Sequence, residues 1–163
     1  MRRHEPGQLF LGHCLAVANR HLALVVADRA GDVELVEVQL EPDCWRRYAG
    51  LGGARLVLQP DLYVMTGDPR DSAFVNRWFV EVDRGTENPA RLLDKCARYE
   101  TYRRTGSEQA DAGSFPLVVW IMQSDAHADR LSAAVHRDTS LDAALYRITT
   151  AERFIETIRG GAS

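Results

Sequence analysis

Three stretches of the chain hold the residue types that metal-assisted phosphodiester hydrolysis requires: Gln59-Pro60-Asp61, the run Phe79-Val80-Glu81-Val82-Asp83-Arg84-Gly85-Thr86-Glu87, and Lys95. Asp61 and Glu81 are hard oxygen donors that suit Mg2+ or Mn2+ and leave room for water. An ion on that pair would polarise a phosphate oxygen and lower the pKa of a bound water. Lys95 is the only lysine, every other basic residue being arginine. Arginine is a planar fork that stays charged, whereas lysine is a compact point charge. Lys95 would contact the reacting phosphate or orient the water. Asp83 would assist, and Glu87, on the way into the next helix, would assist or cap it.

Geometry supports bringing these groups together. Alternate residues of a strand share a face, so Phe79, Glu81 and Asp83 point one way and Trp78, Val80 and Val82 the other. Two carboxylates at such spacing are costly to bury without a cation or donors. Pro60 removes a ladder donor and suits a strand edge or bulge; a hairpin of the second and third strands would set Asp61 beside Glu81. Asn88-Pro89 reads as a helix cap followed by a first helical residue. Lys95 then lies about 9 Å along that helix, at ~1.5 Å per residue. If the helix folds back along the third strand, the lysine comes level with Glu81. It shares a helical face with Leu92, Tyr99 and Tyr102. The alternative for Glu81 and Asp83 is a strand-end salt-bridge site with Arg84, Arg91 or Arg98.

The elements that must position these residues read as follows. Residues 8–29 form a largely buried helix, rich in Leu, Ala and Val. Val33 to Val38 is a strand, Gly50 to Gly53 a turn, Arg55 to Met65 a second strand and Asn76 to Asp83 a third, together an antiparallel meander. A helix runs from Pro89 to about Arg104, followed by a polar loop from Gly106 to Ser114. Pro116 to Met122 is a central strand. Ser124 or Asp125 caps a helix to about Arg137, Leu145 to Thr149 is a last strand, and Glu152 to Arg159 a terminal helix. The predicted fold class is α/β: a single domain over 8–159 after a flexible N-terminus (1–7), with a mixed four- to five-stranded sheet flanked by helices in the order α-βββ-α-β-α-β-α.

Composition narrows the partners. The 163 residues suffice for one core, and a net charge of −3 advertises no global field for nucleic acid. The helix from Arg91 to Arg104 is the best local basic patch, with five basic and two acidic side chains, a net of +3. Arg84, Arg91, Arg98, Arg103 and Arg104 are the candidate DNA contacts, and Arg46-Arg47 is a further pair that could meet phosphates or form a solvated face. His13 could approach the acidic site from the first helix, or be a satisfied half-buried histidine. Trp45, Trp78 and Trp120 read as core. Cys14, Cys44 and Cys96, without a CxxC, read as small core residues of a reducing cytoplasm. No signal peptide is visible, and the apolar stretch from Cys14 to Ala27 is broken by Asn19, Arg20 and His21, so no membrane span is expected.

The Gln59-Pro60-Asp61 string, the Glu81-to-Glu87 run, and Lys95 with Tyr99 and Tyr102 resemble the replication-relaxation family of bacterial plasmids and mobile elements. The resemblance runs from about His13 to Thr150. It implies DNA processing in plasmid replication and a core like the PD-(D/E)xK nucleases, hence a restriction-endonuclease-like fold. By it, Asp61 is the aspartate of the PD element and Glu81 the acidic residue of the ExK element; Asp61 and Glu81 would ligate Mg2+ or Mn2+, with His13, Glu87 and Tyr99 auxiliary. The ExK lysine position is Asp83 here, so that role passes to Lys95 on the following helix. The family's usual N-terminal winged-helix domain is expected to be absent. DNA is thus the expected partner, with a homodimer or a separate DNA-binding chain supplying the missing grip, and the alternative function is an inactive nuclease-fold module that binds DNA or a replication partner.

Overall fold

The computed structural model describes residues 7–68 and 71–161, so all of the predicted flexible N-terminus except Gly7 lies outside the described residues. The chain runs α1 (Gln8–Ala30), β1 (Glu34–Leu40), β2 (Arg46–Ala49), β3 (Arg55–Leu58), β4 (Leu62–Asp68), β5 (Asp71–Val82), α2 (Pro89–Arg103), α3 (Ser107–Ala112), β6 (Leu117–Met122), α4 (Asp125–Arg137), β7 (Tyr146–Thr150) and α5 (Phe154–Gly160). A mixed five-stranded sheet has the order β1-β4-β5-β6-β7, antiparallel from β1 to β5 and parallel from β5 to β7.

The alternation read in β5 sorts the two faces. Trp78 and Val80 join Leu24, Ala27, Val119, Phe154 and Ile158 in the layer beneath α1 and α5. Phe79 joins Cys96, Tyr99, Trp120, Leu131 and Val135 beneath α2 and α4. β6 is buried on both faces, as its unbroken apolar run requires. Asn88 caps α2, its side chain accepting from Arg91 N, and Ser124 caps α4 in the same way through His127 N.

Several expectations are corrected. The strand predicted over 55–65 is two strands, because Pro60 has no N–H and the chain breaks at Gln59-Pro60-Asp61. β3 instead pairs with the unpredicted β2 in a separate hairpin, turned at Gly52 and Gly53, whose φ of 69° and 77° suits residues without a Cβ. The loop predicted over 106–114 contains α3. Trp45 is only half-buried, whereas Trp78 and Trp120 are core as expected. Cys14 is exposed and not a core residue. Finally, α1 is not largely buried: Leu24 and Ala27 are its only buried residues. By length and composition α1 could cross a membrane, with mean hydropathy 1.5. Here it lies along the sheet, tied by Arg20 to Ala151 O (3.1 Å) and by Asp28, which accepts from Leu35 N (2.8 Å).

Arg46, one of the arginines considered for phosphate contact, has a structural post. It donates to the buried Glu108 at 2.7 Å and lies over the rings of Tyr63 and Phe79 at 4.8 and 5.4 Å. Tyr102 also donates to Glu108, at 3.0 Å, which fixes α3 against α2. Arg46→Ala is expected to cost about 3 kcal/mol, since it strips a buried carboxylate of its nearest cation. Urea denaturation monitored by circular dichroism checks this.

Candidate active site

Asp61 is held where β4 begins. Its N–H donates to Val80 O (3.0 Å) and its Oδ2 accepts from Val82 N (2.7 Å), which locks the carboxylate against the end of β5. Its other oxygen, Oδ1, lies 2.9 Å from His13 Nε2 on α1. That hydrogen bond raises the His13 pKa, burial working against it and the Asp61 charge adding to it. His13 therefore does approach the acidic site.

Glu81 lies one strand over and is 4% exposed. Tyr99 Oη donates to its Oε1 at 2.6 Å, and Lys95 Nζ lies 3.9 Å from its Oε2. Burial, and then the neighbouring Asp61, push the Glu81 carboxyl up to about 8, against the opposing pull of Lys95 and Tyr99. Lys95 sits level with Glu81 on α2, as the helix arithmetic required. It is half-buried and also pairs with Glu87 at 3.2 Å. Burial disfavours its charge, but Glu81 and Glu87, with Asp61, outweigh that and raise its pKa. Tyr99→Phe removes the buried donor to Glu81 and is expected to lower stability by about 2 kcal/mol, measured by thermal denaturation.

Asp83 closes the group. It is 6% exposed, and its buried Oδ2 has no hydrogen-bond partner among the described residues. Its carboxyl is pushed up chiefly by burial. Gly85, two residues on, has φ 74°, a left-handed conformation that favours glycine in the turn out of β5. Arg84 lies flat over Gly12 and donates to Leu9 O at 3.1 Å, fastening the first turns of α1 over the site.

His13, Asp61, Asp83, Arg84, Glu87 and Lys95 line one cleft of about 220 Å3. A second, of about 210 Å3, is lined by Glu41, Trp45, Gln59, Glu81, Arg98 and Tyr99, and Lys95 lines both. Glu41 is a residue the sequence reading missed. The pairing of Leu40 with Leu62 carries it opposite Asp61, and burial followed by the Asp61 charge raises its pKa. The signal was the β1–β4 register, which the shorter strand predicted over 33–38 concealed.

The arginines divide. Arg84 lines the first cleft and Arg98 the second; among the described residues neither they nor Arg91 forms an ion pair with Glu81 or Asp83. Arg91 is exposed. Arg103 and Arg104 are not brought to the site. Arg103 pairs with Glu100 (2.9 Å) and Asp142 (3.2 Å), and Arg104 donates to Ser140 O (3.4 Å).

Asp61 and Glu81 supply carboxylate oxygens, the donor type that hard divalent ions take. Burial first, and the Asp61 charge second, push the Glu81 carboxyl up, a cost that a nearby cation would offset. Asp83 offers an unused oxygen on the same β5 face. Among the described residues no three His, Cys, Asp or Glu side chains form a ready-made metal cluster.

Residues 1–118 match a family model described as replication-relaxation, a span that includes every residue of the site and stops within β6. No curated protein and no solved structure matches the chain.

Proposed function

The chain belongs to the replication-relaxation family, and on that premise we propose that it processes DNA in plasmid or mobile-element replication, as a nickase that hydrolyses a phosphodiester bond with Mg2+ or Mn2+. The observation that carries this reading is the buried Asp61–Glu81 pair with Lys95 3.9 Å from Glu81. Asp61 and Glu81 would hold the ion, which when bound polarises the phosphate and makes water acidic enough to attack. Tyr99 fixes the orientation of Glu81, while His13 and Val82 N fix that of Asp61. Lys95 offers an ammonium to the charge that develops on the phosphate oxygens. Arg84 and Arg98, one in each cleft, are the arginines placed to grip the strand on either side of Lys95. The restriction-endonuclease-like reading of the fold rests on this arrangement and on the antiparallel-then-parallel sheet.

One observation favours a second reading, a nuclease-like module that binds DNA or a replication partner without cutting. The residue two places after Glu81 is Asp83, and the lysine that would replace that function is already paired with Glu87. Metal titration followed by thermal denaturation separates the two. At an Mn2+ concentration of about 100 times Kd, bound metal adds ~3 kcal/mol, a rise in Tm of roughly 6–12 °C for a chain of this size. Asp61→Ala and Glu81→Ala should abolish the rise. DNA retained in EDTA, with no metal response and no cutting, supports the module instead. Absence of DNA affinity at low salt would exclude the nickase.

A further inference from the structure

The composition of α1 and its surroundings disagree. A helix that is apolar on all sides belongs in an interior, yet only one side of α1 is covered. The covered side carries His13, Val17, Leu24 and Ala27. On the opposite side Leu11, Leu15, Ala18 and Leu22, with the half-buried Val25 at their edge, follow one another at spacings of 4, 3, 4 and 3 residues, the repeat of a coiled-coil seam. Leu11 is 48% exposed, Leu15 65%, Leu22 60% and the flanking Val26 57%. From Leu11 to Val26 the seam bears no charge, the charged Arg20 of this stretch being turned toward Ala151.

We infer that this face of α1 pairs with α1 of a second copy of the chain, antiparallel, about a two-fold axis at Ala18. The pattern is nearly palindromic about that residue: Leu11 and Leu15 on one side of a small central side chain, Leu22 and Val25 on the other. A two-fold contact demands this self-complementarity, because residue i must meet j while j meets i. In the antiparallel register Leu11 lies level with Val25 of the partner, Leu15 and the partner's Leu22 fall within one residue of each other, and alanine lets the helices approach at the axis. Parallel pairing would set Arg29 against Arg29 and align the two helix dipoles unfavourably.

The size is adequate. A helix of 23 residues is ~34 Å long and about 10 Å wide, so its outer face projects roughly 350 Å2, within the range of the largest apolar patches on monomers. Two such faces, with their relief, bury on the order of 1,000 Å2, the lower end for specific association. A membrane surface is a poorer occupant, since an interfacial helix flanks its apolar face with cationic residues and this seam has none until Arg29. Dimerisation would also brace the helix whose other side presents His13 to Asp61.

Sedimentation equilibrium at about 20 µM tests the proposal. The wild type should have twice the chain mass, and Leu15→Glu/Leu22→Glu the single mass with an unchanged circular dichroism spectrum. Both leucines are exposed, so the double variant should still fold; if it does not, cross-linking decides. In a Cys14→Ser background, Ala18→Cys should join to its own counterpart through a short bismaleimide at least tenfold faster than Asn19→Cys, one residue round the helix. A monomeric wild type, a dimer that survives the double glutamate substitution, equal cross-linking at 18 and 19, or flotation of a monomer with anionic vesicles would each overturn the inference.

Discussion

With Mn2+ present the protein should convert supercoiled plasmid to open circles, and Lys95→Ala should slow that conversion by about 100- to 1,000-fold. The magnitude is that of removing one preorganised group aimed at charge that develops in a transition state. The effect follows from position. Lys95 is half-buried between two clefts, and the carboxylates of Glu81, Glu87 and Asp61 outweigh the cost of its burial and favour its charged form. Lys95→Arg should not restore activity, since a planar fork cannot replace a compact ammonium 3.2 Å from Glu87. Glu87→Gln should leave most of the rate intact, because Lys95 keeps Glu81 as a partner. No conversion by folded wild-type protein would transfer the case to the non-cutting module.

Glu81→Gln is expected to stabilise the metal-free protein at pH 8 by about 2–3 kcal/mol while abolishing nicking, a trade often found where a site is built from strained charges. The sign follows from linkage. Burial and Asp61 raise the Glu81 carboxyl from its ordinary 4.5 to about 8. The folded state therefore binds this proton more tightly than the unfolded state does. The folded state is favoured most below pH 4.5, and stability declines as pH climbs from there toward 8. Glutamine has no proton to lose, so the variant should lack that decline, and its Amide can still accept the Tyr99 hydrogen bond. Because a metal ion must displace the Glu81 proton, metal affinity in the wild type should rise over the same pH window. Thermal denaturation from pH 5 to pH 8.5, with EDTA and with Mn2+, measures both slopes. A wild type whose metal-free stability is flat with pH would remove the electrostatic premise.

His13 titrates in the same direction. Its pKa is raised by the bond to Asp61, so the stability it contributes is present below the ordinary histidine value of 6.5 and is lost as pH rises through its higher folded value. His13→Ala should therefore matter more at pH 6 than at pH 8.

The local half of the site was readable from the chain. The period-two pattern of β5 set Glu81 and Asp83 on one face, and Asn88-Pro89 began α2 at a point from which counting brings Lys95 to Glu81. What failed were features fixed by pairing across the chain. A run of apolar residues from Arg55 to Met65 carries no sign of which strand each half joins; the β2–β3 hairpin and the meander divide it at Pro60. Glu41 entered through register with β4, and Glu108 was hidden in a short helix whose reason is the Arg46 and Tyr102 it binds. α1 was misread because composition reports how much apolar surface a helix has and not how much of it the fold covers.

The bonds of the site span unequal lengths of chain. Tyr99 reaches Glu81 across 18 residues, but His13 reaches Asp61 across 48, and Arg84 reaches Leu9 across 75. Short loops close with less entropic cost than long ones, so the β5–α2 half should assemble early and the docking of α1 complete the site. α1 has few buried side chains to hold it, which places it among segments that open before the core does. Amide exchange should thus be faster along α1 than along β6. The acidic centre is then finished only when α1, the most lightly held helix of its surroundings, settles onto the sheet.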